Sequence, residues 1–288
     1  MCDVSPTPDN RGPTAQPSTS DPRPILAQWD GGRALLFYVL SALSSLLLGL
    51  LLLEPFGFYA SVAVTEVLAF AVAPFVVGRL FDTGWSRWTA PARAPASFWL
   101  WSVTAVVAFA VAESNLPVLF DRLYPIPPTQ LDFYRRYLAA NSPGELALFL
   151  LVAAIIPAIC EEITFRGLIQ SGLRHSFGPK HAVVWSGFLF AVLHLNPWNF
   201  LGLWVFGSLL GYLTERCGSV RPAMLAHTLN NALALIVFAA QSPDQWERPL
   251  EFLPWQVTLA AGLILIVSVW RLHRVPFKRD PQAEVVSS

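Results

Sequence analysis

Apolar stretches of about 20 residues recur along nearly the whole of this 288-residue chain, and that is the length one helix needs to cross the hydrocarbon core of a bilayer. Inside hydrocarbon every backbone N–H and C=O must find its partner within the protein, and a helix meets that demand segment by segment. Composition agrees. The chain is 54% hydrophobic and 13% charged, with a mean hydropathy of +0.49, whereas a soluble domain carries about 25% charged residues. The expected fold class is all-α, a polytopic membrane helix bundle.

The apolar runs place eight transmembrane helices at roughly 34–53, 60–78, 97–118, 145–165, 181–195, 200–214, 222–240 and 254–271. The fifth and sixth are short, which marks them as tilted, enclosed by protein or partly irregular. With a cytoplasmic N-terminus, fifteen of the nineteen Lys and Arg residues fall on inner segments. Only Arg122, Arg135, Arg136 and Arg248 fall outside. Such a positive-inside bias predicts N-in/C-in topology and requires an even number of spans. On this count 166–181 and 215–222 are inner loops. Trp29, Trp88, Trp99, Trp101, Trp185, Trp198, Trp255 and Trp270 stand near span ends, as interfacial belts require. No internal repeat is visible, which argues against an inverted-repeat transporter.

The chain divides into four parts. Residues 1–28 are polar and Pro-rich and read as a disordered cytoplasmic tail without a cleaved signal peptide. Residues 29–144 hold N-terminal helices and an outer loop, 145–240 a helical core, and 241–288 the last helix and a cytoplasmic tail. The outer stretch from Glu113 to Gly144 contains Pro117, Pro125, Pro127, Pro128 and Pro143 and reads as an irregular cap with an amphipathic piece around Leu131–Leu138. Gly207 and Gly211 form a small-xxx-small pattern suited to close helix packing. No basic tract points to nucleic acid. Cys2, Cys160 and Cys217 are too few and too scattered for a disulfide framework or zinc knuckle. The final Glu284–Ser288 carries no prenylation box, so the chain is not itself an obvious lipidated substrate.

Three polar clusters interrupt the apolar runs: Cys160–Gly167, Phe190–His194 and His227–Asn231. Ionisable groups inside a membrane cost about 2.5–3.5 kcal/mol each on insertion scales, so they are functional candidates by default. Glu162 and Arg166 stand at i and i+4 in the favourable order for an ion pair. Their pairing leaves Glu161 as the unpartnered carboxylate and a candidate general base. Phe190 and His194 share one helix face, and so do His227 and Asn231, which follow Pro222 at a helix start. Asn230 is a neighbouring alternative to Asn231. An imidazole beside an amide is either a packing hydrogen bond or an oxyanion donor pair. Cys160 adjoins the cluster, but a thiol in apolar surroundings is ordinarily inert packing. Depth is a constraint. An inner end at Arg166 puts Glu161 about 7 Å inside, while His194 lies about 21 Å from Lys180. They meet if the fifth span is tilted or starts deep, or if 167–180 dips into the bilayer, as Leu168, Ile169, Leu173 and Phe177 permit.

Glu-Glu-x-x-x-Arg, Phe-x-x-x-His and His-x-x-x-Asn in this order resemble the CAAX prenyl endopeptidase and bacteriocin-processing family, the ABI-type intramembrane proteases. The resemblance spans about 145–240. It implies about eight helices around a cavity open to the cytoplasm, with Glu161 and His194 activating a water and His227 and Asn231 stabilising the oxyanion. Glu162 and Arg166 are then supporting residues. The implied substrate is a peptide or protein tail near the membrane, lipidated in eukaryotic members. The implied setting is a bacterial cell membrane, or the endoplasmic reticulum membrane of a eukaryote. The signatures of zincin, rhomboid and presenilin-like proteases are absent. No cofactor is expected; the alternative is Zn2+ held by Glu161, His194 and His227. Competing functions are a non-catalytic partner-binding or immunity protein using the same cavity and, third, a transporter.

Overall fold

The computed structural model describes residues 28–81, 83–84, 88–92, 94–138, 140, 142–240 and 251–277. The N-terminal tail, up to residue 27, and the C-terminal tail from 278 lie outside the described residues, as does 241–250. Five helices are long and apolar enough to cross a membrane: Gly31–Leu80 (α1), Ala96–Leu123, Pro143–Phe177 (α5), Arg221–Ala239 (α8) and Trp255–Arg274 (α9). The second consists of Ala96–Glu113 (α2) and Asn115–Leu123 (α3). Between them and α5 lies Pro128–Leu138 (α4). Pro179–Leu193 (α6) is a shorter apolar helix, and Phe200–Cys217 (α7) follows it.

The first two apolar runs are the two legs of α1. Gly57, two residues after Pro55, has φ 75° and ψ 172°, a backbone region that is essentially glycine's alone. The chain folds back there. The Ser61 hydroxyl donates to the Gly49 carbonyl at 3.1 Å across 12 residues, a separation that would be about 18 Å in a straight helix. Leu36, Leu43, Leu47, Leu50 and Leu51 on the first leg remain exposed, as a lipid-facing surface must. Further along, Leu68–Val72 and Leu150–Ile155 are π-helical and lead into Pro74 and Pro157. Pro74 has no N–H to offer the Phe70 carbonyl. Thr164 on α5 donates its hydroxyl to it instead, at 2.8 Å, and so locks the second leg onto α5.

The sequence reading needs three corrections. First, the fourth apolar run does not end at Arg166. α5 continues to Phe177 and turns at Gly178 into α6, so most of the expected 166–181 loop is helix. Arg166 does not stop the span because its charge is met inside the bundle. Glu161 precedes Gly178 by 17 residues and His194 follows it by 16, which puts both about 25 Å from the turn. This removes the depth constraint. Second, the outer segment is largely helical (α3 and α4) rather than irregular. Pro128 and Pro143 stand at helix starts, where a missing N–H is harmless, and Pro125 and Pro127 lie in the link between α3 and α4. Third, Trp29, Trp88 and Trp198 are buried, while Trp185, Trp255 and Trp270 are exposed. Trp29 donates to the Leu168 carbonyl and Trp198 to that of Tyr124. Trp29 and Trp198 thus tie segments of the chain together.

One end of the bundle is laced by hydrogen bonds. Gly31 N–H donates to the Ser176 hydroxyl at 2.8 Å, Arg174 pairs with Glu215 at 3.2 Å, and Arg216 donates to the His273 carbonyl at 2.8 Å. The start of α1 and the end of α9 therefore lie at the same end. α6 and α7 pack closely through glycine. A Cβ on Gly187 would sit 2.6 Å from the Ser208 backbone nitrogen and 2.8 Å from the Trp204 carbonyl oxygen, and one on Gly207 would sit 2.9 Å from the Gly187 Cα. The contact atoms are backbone and have nowhere to go. Gly187→Ala should lower the thermal unfolding temperature in detergent. Gly262→Ala, where nothing lies within 4 Å, should leave it unchanged or raise it, since Ala is favoured over Gly by about 1 kcal/mol in helices.

Candidate active site

The site is built on α5, α6, α7 and α8. Glu161 and Glu162 lie mid-way along α5, and the helix opens into a π-helical stretch, Ile163–Ile169, directly after them. π-helical turns are frequent at functional sites because they shift side-chain register within an unbroken helix. Here the stretch carries Arg166 inward. Its guanidinium is fully buried: Nη1 lies 3.0 Å from Glu162 Oε1, and Nη2 donates to the Gly207 carbonyl of α7 at 2.7 Å. The Arg166 Cζ sits 5.0 Å from the Phe190 ring centroid, within range of a cation–π contact.

Glu162 is shared. The same Oε1 that faces Arg166 accepts from His227 Nδ1 at 2.9 Å. A carboxylate only accepts, so Nδ1 carries the proton. His227 Nε2 lies 3.9 Å from Glu161 Oε2, close but beyond hydrogen-bond reach. The ring is held edge-on by Phe190 and Phe206, with centroids 5.5 and 5.6 Å away. Glu161 Oε2 is enclosed and finds no hydrogen-bond partner among the described residues.

His194 caps the C-terminal end of α6, and its Nδ1 donates to the Phe190 carbonyl at 2.8 Å. A carbonyl cannot donate, so Nε2 is left for another partner. Glu161 and His194 both wall a cavity of about 460 Å³, with Tyr38, Leu43, Leu46, Val62, Glu66, Phe70 and Leu193 among the other lining residues. His227 approaches Glu161 from behind that wall. Asn231 stands one helical turn beyond His227 on α8 and is partly buried; like Asn230, it is not among the cavity-lining residues. The structure thus brings Glu161, Glu162, Arg166 and His227 into one polar cluster and puts His194 on the same cavity as Glu161. Cys160 packs against Ala69 and Phe70.

Two features escaped the sequence reading. Phe190 acts as a hub, with its ring against His194, His227 and Arg166 and its carbonyl on His194. Nothing in the spacing distinguishes that role from ordinary core packing. Glu66 on the second leg of α1 lines the cavity with an enclosed, unpartnered Oε2. Its signal was present, since it is a carboxylate inside an apolar run. Among the described residues no three His, Cys, Asp or Glu side chains are grouped as metal ligands. The set Glu161, His194 and His227 is not drawn together as zinc ligands.

Residues 143–233 match the family model described as type II CAAX prenyl endopeptidase Rce1-like. That segment is therefore similar to the CAAX prenyl endopeptidases. The Rce1-like stretch runs from the start of α5 into α8 and holds all three motifs, while α1–α4 and α9 lie outside it, so it covers less than half of the chain. No curated protein and no solved structure matches.

Removing one partner of a buried ion pair typically costs about 3–5 kcal/mol because the other charge stays buried. Arg166→Ala should therefore reduce the folded yield in detergent. Arg166→Lys should not restore it, since a point-like ammonium cannot span both Glu162 and the Gly207 carbonyl as the guanidinium fork does. Size-exclusion profiles and thermal unfolding of the two variants provide the measurement.

Proposed function

We propose that this protein is an intramembrane endopeptidase that hydrolyses a peptide bond near the C-terminus of a membrane-associated protein or peptide. The observation that carries this reading is that Glu161 and His194, both in the Rce1-like segment, line one cavity. A peptide bond needs a nucleophile and a place for the negative charge that develops on its carbonyl oxygen. Glu161, with an oxygen free of protein partners, and His194, with Nε2 free, hold a water between them and take its proton.

His227 and Asn231 are proposed to receive the oxyanion. With Nδ1–H given to Glu162, His227 can donate from Nε2 only when the ring carries both protons. Glu162 and Arg166 orient the ring for that role: Glu162 fixes it at Nδ1, and Arg166 fixes Glu162. No metal takes part in this scheme. The apolar cavity walls suit an aliphatic or lipidated tail beside the scissile bond.

Eight spans with both termini cytoplasmic are proposed for the chain. The charge asymmetry supports this, as does the placement of the start of α1 and the end of α9 at one end of the bundle. The membrane is proposed to be a bacterial cell membrane, or that of the endoplasmic reticulum in a eukaryotic source. A reporter fused after Ser288 should be found on the cytoplasmic side; an outer location would overturn the even count.

Glu161→Gln keeps the shape of the side chain and removes the base. In liposomes presented with a library of membrane-anchored peptides, it should abolish the cleavage seen with wild type while folding and peptide binding persist. Asn231→Ala should lose ~10²–10³ in kcat with little change in binding, as loss of one oxyanion donor does. Full biological activity of Glu161→Gln at wild-type protein levels would rule out proteolysis as the cellular role and leave the partner-binding reading.

A further inference from the structure

The cavity that holds Glu161 and His194 has a second carboxyl group on a different wall. Glu66 comes from α1, outside the Rce1-like segment, and its Oε2 is enclosed with no hydrogen-bond partner among the described residues. No Lys or Arg is among the residues that wall the cavity; its polar members are Tyr38, Ser45, Ser61, Thr65, Glu66, Glu161 and His194. Glu66 therefore has no counter-ion in the cavity. Its position is nonetheless fixed. One turn on, Ala69 and Phe70 pack on Cys160, and Thr164 bonds the Phe70 carbonyl at 2.8 Å. A carboxyl group held this firmly on the same cavity as the proposed base is placed to act on what the cavity binds.

Amide hydrolysis needs a proton donor as well as a base, because an amine leaves poorly as its anion. His194 commits its Nδ1 proton to Phe190 and His227 commits its own to Glu162. A second proton on His227 faces the oxyanion. We propose that Glu66 is a further catalytic residue, the general acid that protonates the leaving amine; this rests on the peptidase reading of the site. Glu161 takes a proton from water as the water oxygen bonds to the carbonyl carbon. Glu66 gives its proton to the amide nitrogen as the C–N bond breaks, and that bond's electron pair stays on nitrogen. One proton then passes from Glu161 to Glu66 through a cavity water and restores the starting state. No further reactant is consumed. Paired carboxyls that share one proton in this way are an established solution to acid–base catalysis.

The test compares wild type, Glu66→Gln and Glu66→Asp, each full-length in liposomes, on two probes. One is the library peptide that wild type cleaves fastest. The other is the same peptide with its scissile N–H replaced by an ester oxygen, which needs less proton assistance to leave. Glu66→Gln should lose ~10²–10⁴ in kcat on the amide, the usual contribution of a general acid, with KM nearly unchanged and far less loss on the ester. Glu66→Asp keeps a proton-donating carboxyl and should retain part of the amide activity, which gives a readout even if Gln impairs folding. Equal loss on amide and ester, or no loss, would overturn the assignment. Failure of wild type to cleave any peptide of the library would overturn the peptidase reading, and this inference with it.

Discussion

A fully buried guanidinium is what the Rce1-like part of this bundle is assembled around. Arg166 has no exposed surface and is met by a carboxylate on its own helix, a carbonyl on α7 and the face of an aromatic ring on α6. Desolvating such a charge is costly, and only a well-formed surround offsets it. The surround leads on to α8, because the carboxylate that faces Arg166 also holds His227. One cation thus fixes the relative positions of four helices and of the histidine at their centre. In lipid, where apolar side chains gain little by leaving their solvent, packing and polar contacts of this kind carry the association of helices.

The same interaction explains why α5 can run on unbroken to Phe177. A helix carrying an unmet arginine would have to end near water. With its charge satisfied internally, it passes on through Gln170, which donates to the Gly211 carbonyl at 3.1 Å, and reaches the turn at Gly178. The length of α5 then sets the level at which α6 returns, and so brings His194 to the level of Glu161. The relative level of two residues on neighbouring helices, which no linear motif encodes, is decided here by an ion pair and a turn.

That is also where sequence reading reached its limit. The i, i+4 spacing of Glu162 and Arg166 was enough to pair them, and the apolar runs were enough to draw the helices. The end of α5 was misplaced because a charged residue in an apolar run reads the same whether it meets water or a partner 41 residues away. The tryptophans near span ends were similarly ambiguous, since an indole N–H serves an interface or a neighbouring carbonyl equally well. Glu66 obeyed the rule that singled out the other carboxylates. Lying alone, it formed no motif with its neighbours, and only the fold-back at Gly57 gave it companions.

That fold-back separates two properties along the chain. Apart from Glu66, the groups proposed to break the bond lie on α5, α6 and α8, whereas Tyr38, Leu43, Leu46 and Val62 on the α1 hairpin shape the space before them. The hairpin meets the rest through contacts such as the Tyr38 hydroxyl on the Leu189 carbonyl at 3.1 Å, and leucines such as Leu36, Leu47 and Leu50 make up its exposed surface. Changes in girth along those two legs would alter what the cavity admits while leaving the reacting groups where they are. Descendants of such a chain could therefore diverge in appetite while sharing one chemistry, with the record of that divergence written upstream of the motifs by which they are recognised.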